Sequence, residues 1–362
     1  MMKDAIQKQK AVRYCVAHGY IPYMECLVRY GEDTAAKPAD ITDVDVLGVR
    51  PAGEVRERRV VFDCKTLAKT SGVGRALWAS GLLQLVQADE AFVILVKPAP
   101  DGHRLAARKI GVHLFAEKIF DEYARSSSTN YLEGITYLDN LAAWDALWNL
   151  RTQLPRVAPL VEYLSSEAAF ERSATAGFRT LLSRLKSAEG EFDVTKPVHR
   201  LLYGMVISQA ITFLSAIVRE FSTVFDQSMD LDAFQSALRN HVWGGREGYE
   251  LRKRLHIALQ VSRNEEVGDF QLPGWDKFVE LVRALLDAPM LAGTPALPVK
   301  DIAFREMGTA SALADARIKA ELGANPRARQ FAMGVNRYVG SLSRLLKDCS
   351  DNFTTGISKV TA

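Results

Sequence analysis

Residues 1–125 are expected to form an α/β domain, a mixed central sheet flanked by helices, and residues 131–362 an all-α helical domain. Three features of the 362-residue chain carry that division. Two β-branched or aromatic runs with period-2 alternation (41–48 and 60–66) and one continuous apolar run (91–96) alternate with helical patterns in the first third. Strand signals nearly vanish from about residue 131, where helical periodicity takes over. Between the two parts, Arg125-Ser126-Ser127-Ser128-Thr129-Asn130 has the composition of a flexible or turn segment.

Taken in order, residues 3–18 set Ile6, Val12, Cys15 and Val16 among Lys and Gln, an amphipathic helix that His18-Gly19-Tyr20 ends. Residues 21–30 read as a strand with Glu25 at its middle. The runs 41–48 and 60–66 flank Pro51 and Gly53, breakers suited to a hairpin connection. Residues 75–87 carry Leu77, Trp78, Leu82, Leu83, Leu85 and Val86, a helix with a broad apolar face. Residues 91–96 suit a buried central strand, 101–111 a short basic helix, and 111–115 a terminal strand.

In the second part, Trp144 and Trp148 at i, i+4 spacing indicate core packing. Residues 160–188 read as a long helical pattern, broken or kinked near Gly177. Residues 197–225 are strongly apolar, but Ser208, Gln209, Thr212 and Ser215 interrupt the run, which points to the centre of a bundle and not to a membrane span. Further helices are expected at 230–242, 248–263, 274–288 and 327–348. The basic groups of 327–347 and the triplet Arg252-Lys253-Arg254 suit either a binding surface or a solvated helix face.

Apolar and charged fractions of 48% and 25% are those of an ordinary globular protein, and a net charge of +3 does not by itself select a polyanionic partner. Residues 1–130 hold 19 Lys/Arg against 16 Asp/Glu, so the small excess sits in the α/β part. Cys15, Cys26, Cys64 and Cys349 lack CxxC spacing and read as reduced core residues. Met1-Met2-Lys3-Asp4 leads into a charged helix without the apolar core of a signal peptide, so a cytoplasmic location is expected. No GxxxxGK[ST] occurs, which argues against an intrinsic ATPase.

The hairpin register brings chemistry together. If the turn is centred near Glu54, residues whose numbers sum to about 108 face each other. Asp45 and Asp63 then become cross-strand partners with β-carbons roughly 4.5–5.5 Å apart. Lys65, two residues on, shares their face, while Val44, Val46, Val60, Phe62 and Cys64 form the opposite, apolar one. Two carboxylates at about 5 Å repel by roughly 3 kcal/mol at an effective dielectric near 20. A proton, the lysine or a divalent cation must offset that repulsion, and carboxylate oxygens suit Mg2+ or Mn2+.

An acid on one strand, then Asp/Glu-x-Lys closing the next, resembles the PD-(D/E)xK nuclease superfamily and its restriction-endonuclease-like fold. The residues that carry the resemblance are Asp45 and Asp63-Cys64-Lys65, within a helix, three strands, helix, strand order over residues 1–125. The resemblance implies a metal-dependent endonuclease, DNA being the more expected substrate than RNA, in a setting such as restriction, phage defence or repair. It implies Asp45, Asp63 and the backbone carbonyl of Cys64 as metal ligands, and Lys65 as the group that positions or deprotonates the attacking water.

Such nucleases often take a further acid from the first helix, which here offers only Asp4, Gln7 and Gln9. Glu25 is either the substitute ligand or a structural glutamate, and Asp43, of the same parity as Asp45, either an additional ligand or a solvated residue. Gln84 is the candidate polar residue of the following helix, and Lys69, Arg75 and Arg104 are candidates for phosphate contact. A second reading is a catalytically inactive nuclease-fold protein that binds nucleic acid or acts as a scaffold subunit. A third is a helical adaptor with a vestigial first domain. The helical part is expected to serve specificity, homodimerisation or docking of an associated protein subunit.

Overall fold

The computed structural model describes residues 2–30, 39–51, 57–66, 71–226, 228–263 and 270–361. A helix α1 (Ala5–Ala17) leads into three antiparallel strands, β1 (Ile21–Tyr30), β2 (Ala39–Arg50) and β3 (Arg58–Lys65). Then come α2 (Gly72–Val86), β4 (Glu90–Leu95), α3 (Asp101–Lys109), β5 (Val112–Ala116) and α4 (Glu117–Ser127). The sheet order is β1-β2-β3-β4-β5, with β3, β4 and β5 parallel, so the sheet is mixed as expected. The β2–β3 register pairs Val46 with Phe62 and Leu47 with Val61, as the sum rule requires.

Both sheet faces are covered. On one, Tyr14 of α1 and Phe120 of α4 pack with Phe62 and Phe92. On this face Val44, Val46, Val60, Phe62 and Cys64 are all buried. On the other, Leu47, Val49 and Val61 are equally buried. The Tyr23 hydroxyl, on β1, donates to Gln209 Oε1 of the helical part at 2.7 Å.

That part begins with α5 (Leu141–Gln153), α6 (Ala158–Glu162), α7 (Ala174–Ala188) and α8 (Pro197–Phe221). It continues with α9 (Leu231–Val242), α10 (Gly245–Ser262), α11 (Trp275–Leu286), α12 (Ala296–Arg305), α13 (Ala312–Ile318), α14 (Pro326–Gly340) and α15 (Arg344–Thr361). α8 is the central helix. It is the one described helix long and apolar enough to cross a membrane, and 94% of its most apolar window is buried inside the protein. Backbone proximity to α12 requires glycine at one position, since a Cβ on Gly204 would collide with Ala303.

Three expectations are corrected. Arg125, Ser126 and Ser127 belong to α4, where Phe120 and Ala124 are buried, so the linker starts only at Ser128. The expected helix over 160–188 is broken into α6, a π-helical turn (Tyr163–Glu167), a 3-10 turn (Ala168–Phe170) and α7, and the break lies at 171–173, not at Gly177. Ser173 caps α7 by accepting from Ala176 N–H, which supplies a local reason to restart there. The expected helix over 327–348 is likewise two helices, meeting at 341–343.

The two parts share one continuous core. Lys300 Nζ of α12 donates to the Pro22 carbonyl of β1 at 2.7 Å and lies 3.7 Å from the Tyr23 ring centroid. The π-helical turn packs along β1, where Leu27 N–H donates to Ser166 Oγ at 3.2 Å. The edge strand is thereby sealed by the helical part.

Candidate active site

Asp45 and Asp63 stand at the end of the β2–β3 pairing, and both are buried. Lys65 bridges them, its Nζ 3.1 Å from Asp45 Oδ2 and 3.2 Å from Asp63 Oδ1. The Cys64 backbone N–H donates to Asp45 Oδ2 at 2.8 Å, which fixes the rotamer of that carboxylate. The three residues singled out in the sequence therefore converge.

Two cations complete the set. Lys8 of α1, itself 2% exposed, lies with Nζ 3.1 Å from Asp45 Oδ1 and also pairs with Glu25. Arg75, in the first turn of α2, donates from Nε to Asp63 Oδ2 at 2.7 Å and from a terminal nitrogen to Asp63 Oδ1. Ser71 positions it by capping α2, and Trp78 holds the guanidinium 4.0 Å from its ring centroid. Each buried carboxylate is thus opposed by two cationic groups, which is how burial of like charges in one place is tolerated.

Glu25 sits on β1 between the paired residues Met24–Val46 and Cys26–Val44, so it lies across from Asp45. Its φ of 54° is left-handed, a strained conformation for glutamate held by the strand on either side and by Lys8. Asp43 is exposed on the same edge, and carboxylate oxygens of Glu25, Asp43 and Asp45 lie within 4.8 Å of one another. These are hard oxygen donors, a set whose chemistry fits Mg2+ or Mn2+. Asp63, the other expected ligand, has both oxygens engaged by Arg75.

Burial alone would lower the pKa of Lys65, but Asp45 and Asp63 outweigh it and hold the ammonium charged well above the ordinary lysine range. Lys8 is raised in the same way against burial by Asp45 and Glu25. Glu25 is raised by burial and by Asp45 and Asp43, with Lys8 opposing. The Cys64 thiol is raised by burial and by both aspartates, so it is no nucleophile.

The site opens on a cleft of about 1100 Å³. Lys8, Glu25, Asp43, Asp45 and Lys65 line one wall, and Asp63 lies behind them. The lining from the helical part is Asp145, Trp148, Asn149 and Arg151 of α5 and Ser165 and Ser166 of the π-helical turn.

The remaining expectations fall as follows. Gln7 is buried beside the site, donating at 3.4 Å to the Lys65 carbonyl and to Glu117 Oε2, while its Oε1 has no partner among the described residues. Asp4 accepts from the Thr66 N–H at 2.8 Å and so ties the start of α1 to the end of β3. Gln84 is exposed on α2 and does not line the cleft. Arg104 pairs with Asp101 on α3, in a separate surface groove with Arg108 and His113, away from the aspartates. Arg75 faces Asp63 instead of a phosphate position, and Lys69 lies outside the described residues.

Sequence reasoning missed Lys8, although the signal was there. Lys8 falls three, four and seven residues before Ala11, Val12 and Cys15, on the buried stripe of α1. A lysine on such a stripe must meet an acid, and that acid is Asp45. The α5 residues had no comparable signal.

No family model matches the chain, and no curated protein or solved structure matches it either.

Proposed function

We propose that the chain is a divalent-metal-dependent nuclease that hydrolyses phosphodiester bonds, with DNA as the expected substrate. The observation that carries this reading is the placement of Lys65 Nζ within 3.2 Å of both Asp45 and Asp63 at the mouth of a cleft lined by Glu25 and Asp43. Asp45, Glu25 and Asp43 would hold Mg2+ or Mn2+, which when bound would supply Lewis-acid polarisation of the phosphate and a more acidic water. Asp63 joins that set only if Arg75 releases it.

The chain's own groups do the rest. Lys65, held charged by two carboxylates, stabilises negative charge developing on a non-bridging phosphate oxygen. Its neighbours favour the charged form, which suits charge stabilisation and positioning of the attacking water. Arg75 and Asp63 brace the ammonium from behind, and Lys8 keeps Asp45 and Glu25 from repelling each other when no cation is present.

The test uses plasmid and single-stranded substrates with Mg2+ or Mn2+, beside Asp45→Asn and Lys65→Ala proteins. Metal-dependent cleavage lost in both variants supports the reading. Cleavage that persists in both overturns it.

Two observations favour the second reading, a catalytically silent nuclease fold that binds nucleic acid or scaffolds a complex. The first helix offers Lys8 where the resembled nucleases often place an acid, and Arg75 engages both oxygens of Asp63. That reading expects nucleic-acid binding in low salt, no cleavage with any divalent cation, and no effect of Lys65→Ala on partner assembly.

A further inference from the structure

We infer that the helical wall of the cleft is the substrate grip, and that it takes an unpaired nucleic-acid strand with one base laid against Trp148. The inference deepens the nuclease reading and rests on it for the nature of the ligand.

Three observations carry it. The first is space. The two walls are tied together close to the site, by the Leu27 N–H to Ser166 Oγ bond of 3.2 Å and by Cys26 Sγ donating to the Ser165 carbonyl at 3.3 Å. A cavity of about 1100 Å³ between walls so joined has room for a few nucleotides.

The second is the kind of side chain opposite the acids. Trp148 is half-buried against Trp144, ring centroids 6.4 Å apart, and lines the cleft from that fixed seat. A seated indole is a platform on which any base stacks, which gives strand affinity without sequence preference. Arg151, exposed one turn along and donating from Nε to the Trp148 carbonyl at 3.2 Å, keeps its remaining guanidinium donors for a phosphate.

The third is an unmet donor. Ser165, 2% exposed and part of the cleft wall, has a hydroxyl without a hydrogen-bond partner among the described residues. It belongs to a π-helical turn, a rare conformation that recurs at functional sites. A buried hydroxyl without a partner in the protein is a spare donor at the cleft wall, available to a ligand acceptor once the wall adjusts to admit one.

The experiment measures binding and cleavage separately on the full chain. Binding of a fluorescein-labelled single strand and of a blunt duplex of equal length is followed by anisotropy in EDTA, over a series of salt concentrations. The single strand is expected to bind the tighter of the two. Trp148→Ala should weaken strand binding about tenfold or more, the size of one lost base stack, and Trp148→Phe should restore most of it. Arg151→Gln, at an exposed position, should lower the salt slope by about 0.7. Duplex binding as tight as strand binding, or strand binding indifferent to both Trp148→Ala and Arg151→Gln, overturns the inference. The same oligonucleotides are then incubated with Mn2+. Trp148-dependent strand binding without any cleavage leaves the grip standing and removes the hydrolytic reading. Metal-dependent cleavage of duplex that ignores Trp148 and Arg151 does the reverse.

Discussion

Lys8 Nζ lies 3.1 Å from Asp45 Oδ1, so a helix lysine and a strand aspartate, both nearly inaccessible to water, neutralise each other at the centre of the candidate site. Coulomb attraction is strong there because little solvent screens it, and desolvation is the cost. Removing one partner strands the other. Lys8→Met should therefore destabilise the fold by about 3–5 kcal/mol, the range for breaking a buried pair. Urea unfolding of the single variant and of Lys8→Met/Glu25→Gln checks it. The double variant should recover part of the loss, because Asp45 keeps Lys65 while the glutamate stranded by loss of Lys8 is gone, and no recovery would mean that Glu25 is not coupled to Lys8.

Arg75 and Lys65 compete for Asp63, and any bound cation must compete with them. Arg75→Ala should cost about 1.5–3 kcal/mol of stability through loss of charged hydrogen bonds. It should also raise Mn2+ affinity by freeing Asp63 Oδ2 and leaving Oδ1 to Lys65 alone. Titration calorimetry with Mn2+ on wild type and Arg75→Ala reads the second effect, and a weaker affinity in the variant contradicts it.

Lys300 gives the fold a pH dependence of its own. It is buried among Tyr23, Trp144 and the Pro22 carbonyl, and burial pushes its pKa down to about 7, with Cys26 and Cys15 opposing weakly. Between pH 7 and the ordinary lysine range the folded chain holds one proton fewer than the unfolded chain at this site. Stability from this group therefore rises as pH increases through that window, and its charging cost is fully present below it. Lys300→Met should stabilise the protein by a few kcal/mol at pH 6 and by about half as much at pH 9, as conversion of the shift indicates. Equal effects at both pH values would show that Lys300 is charged throughout.

Lys8 and Lys65 behave in the opposite sense. Their pKa values are raised, so the stability they contribute is present below the ordinary lysine range and is lost as pH rises through their folded values. In strong alkali the aspartate cluster should fail, and Lys65→Arg, which cannot lose its proton, should shift alkaline unfolding to higher pH. Fluorescence-detected unfolding against pH measures the midpoint.

Close approach of α8 and α12 rests on Gly204, where an added methyl meets Ala303. Gly204→Ala should cost about 1–3 kcal/mol by overpacking. Gly204→Ala/Ala303→Gly should return part of it by relieving the collision. Thermal unfolding of both variants decides, and additive losses would place the strain elsewhere.

Strand positions, the mixed sheet and the convergence of Asp45, Asp63 and Lys65 were legible because each is written over short distances. A period of two assigns a residue to a face, and a hairpin relates two strands by a single turn. Lys8 was half-legible, since its stripe on α1 is local but its acid is not. Helix interruptions at 171–173 and 341–343 were harder, because apolar periodicity runs on across them and only capping by Ser173, or packing, ends the helix.

From composition and pattern alone follow the α/β start, the helical remainder, the buried nature of α8 and the two aspartates on one face. Folding in three dimensions assigned Arg75 to Asp63, brought Lys300 against Pro22 and set Trp148 and Ser165 across the cleft from the acids. The last two of these join distant parts of the chain, and nothing in the residues beside either member encodes the distance between them. Only the joint burial of the whole core selects such contacts, and so the wall that faces the acids became visible with the packing.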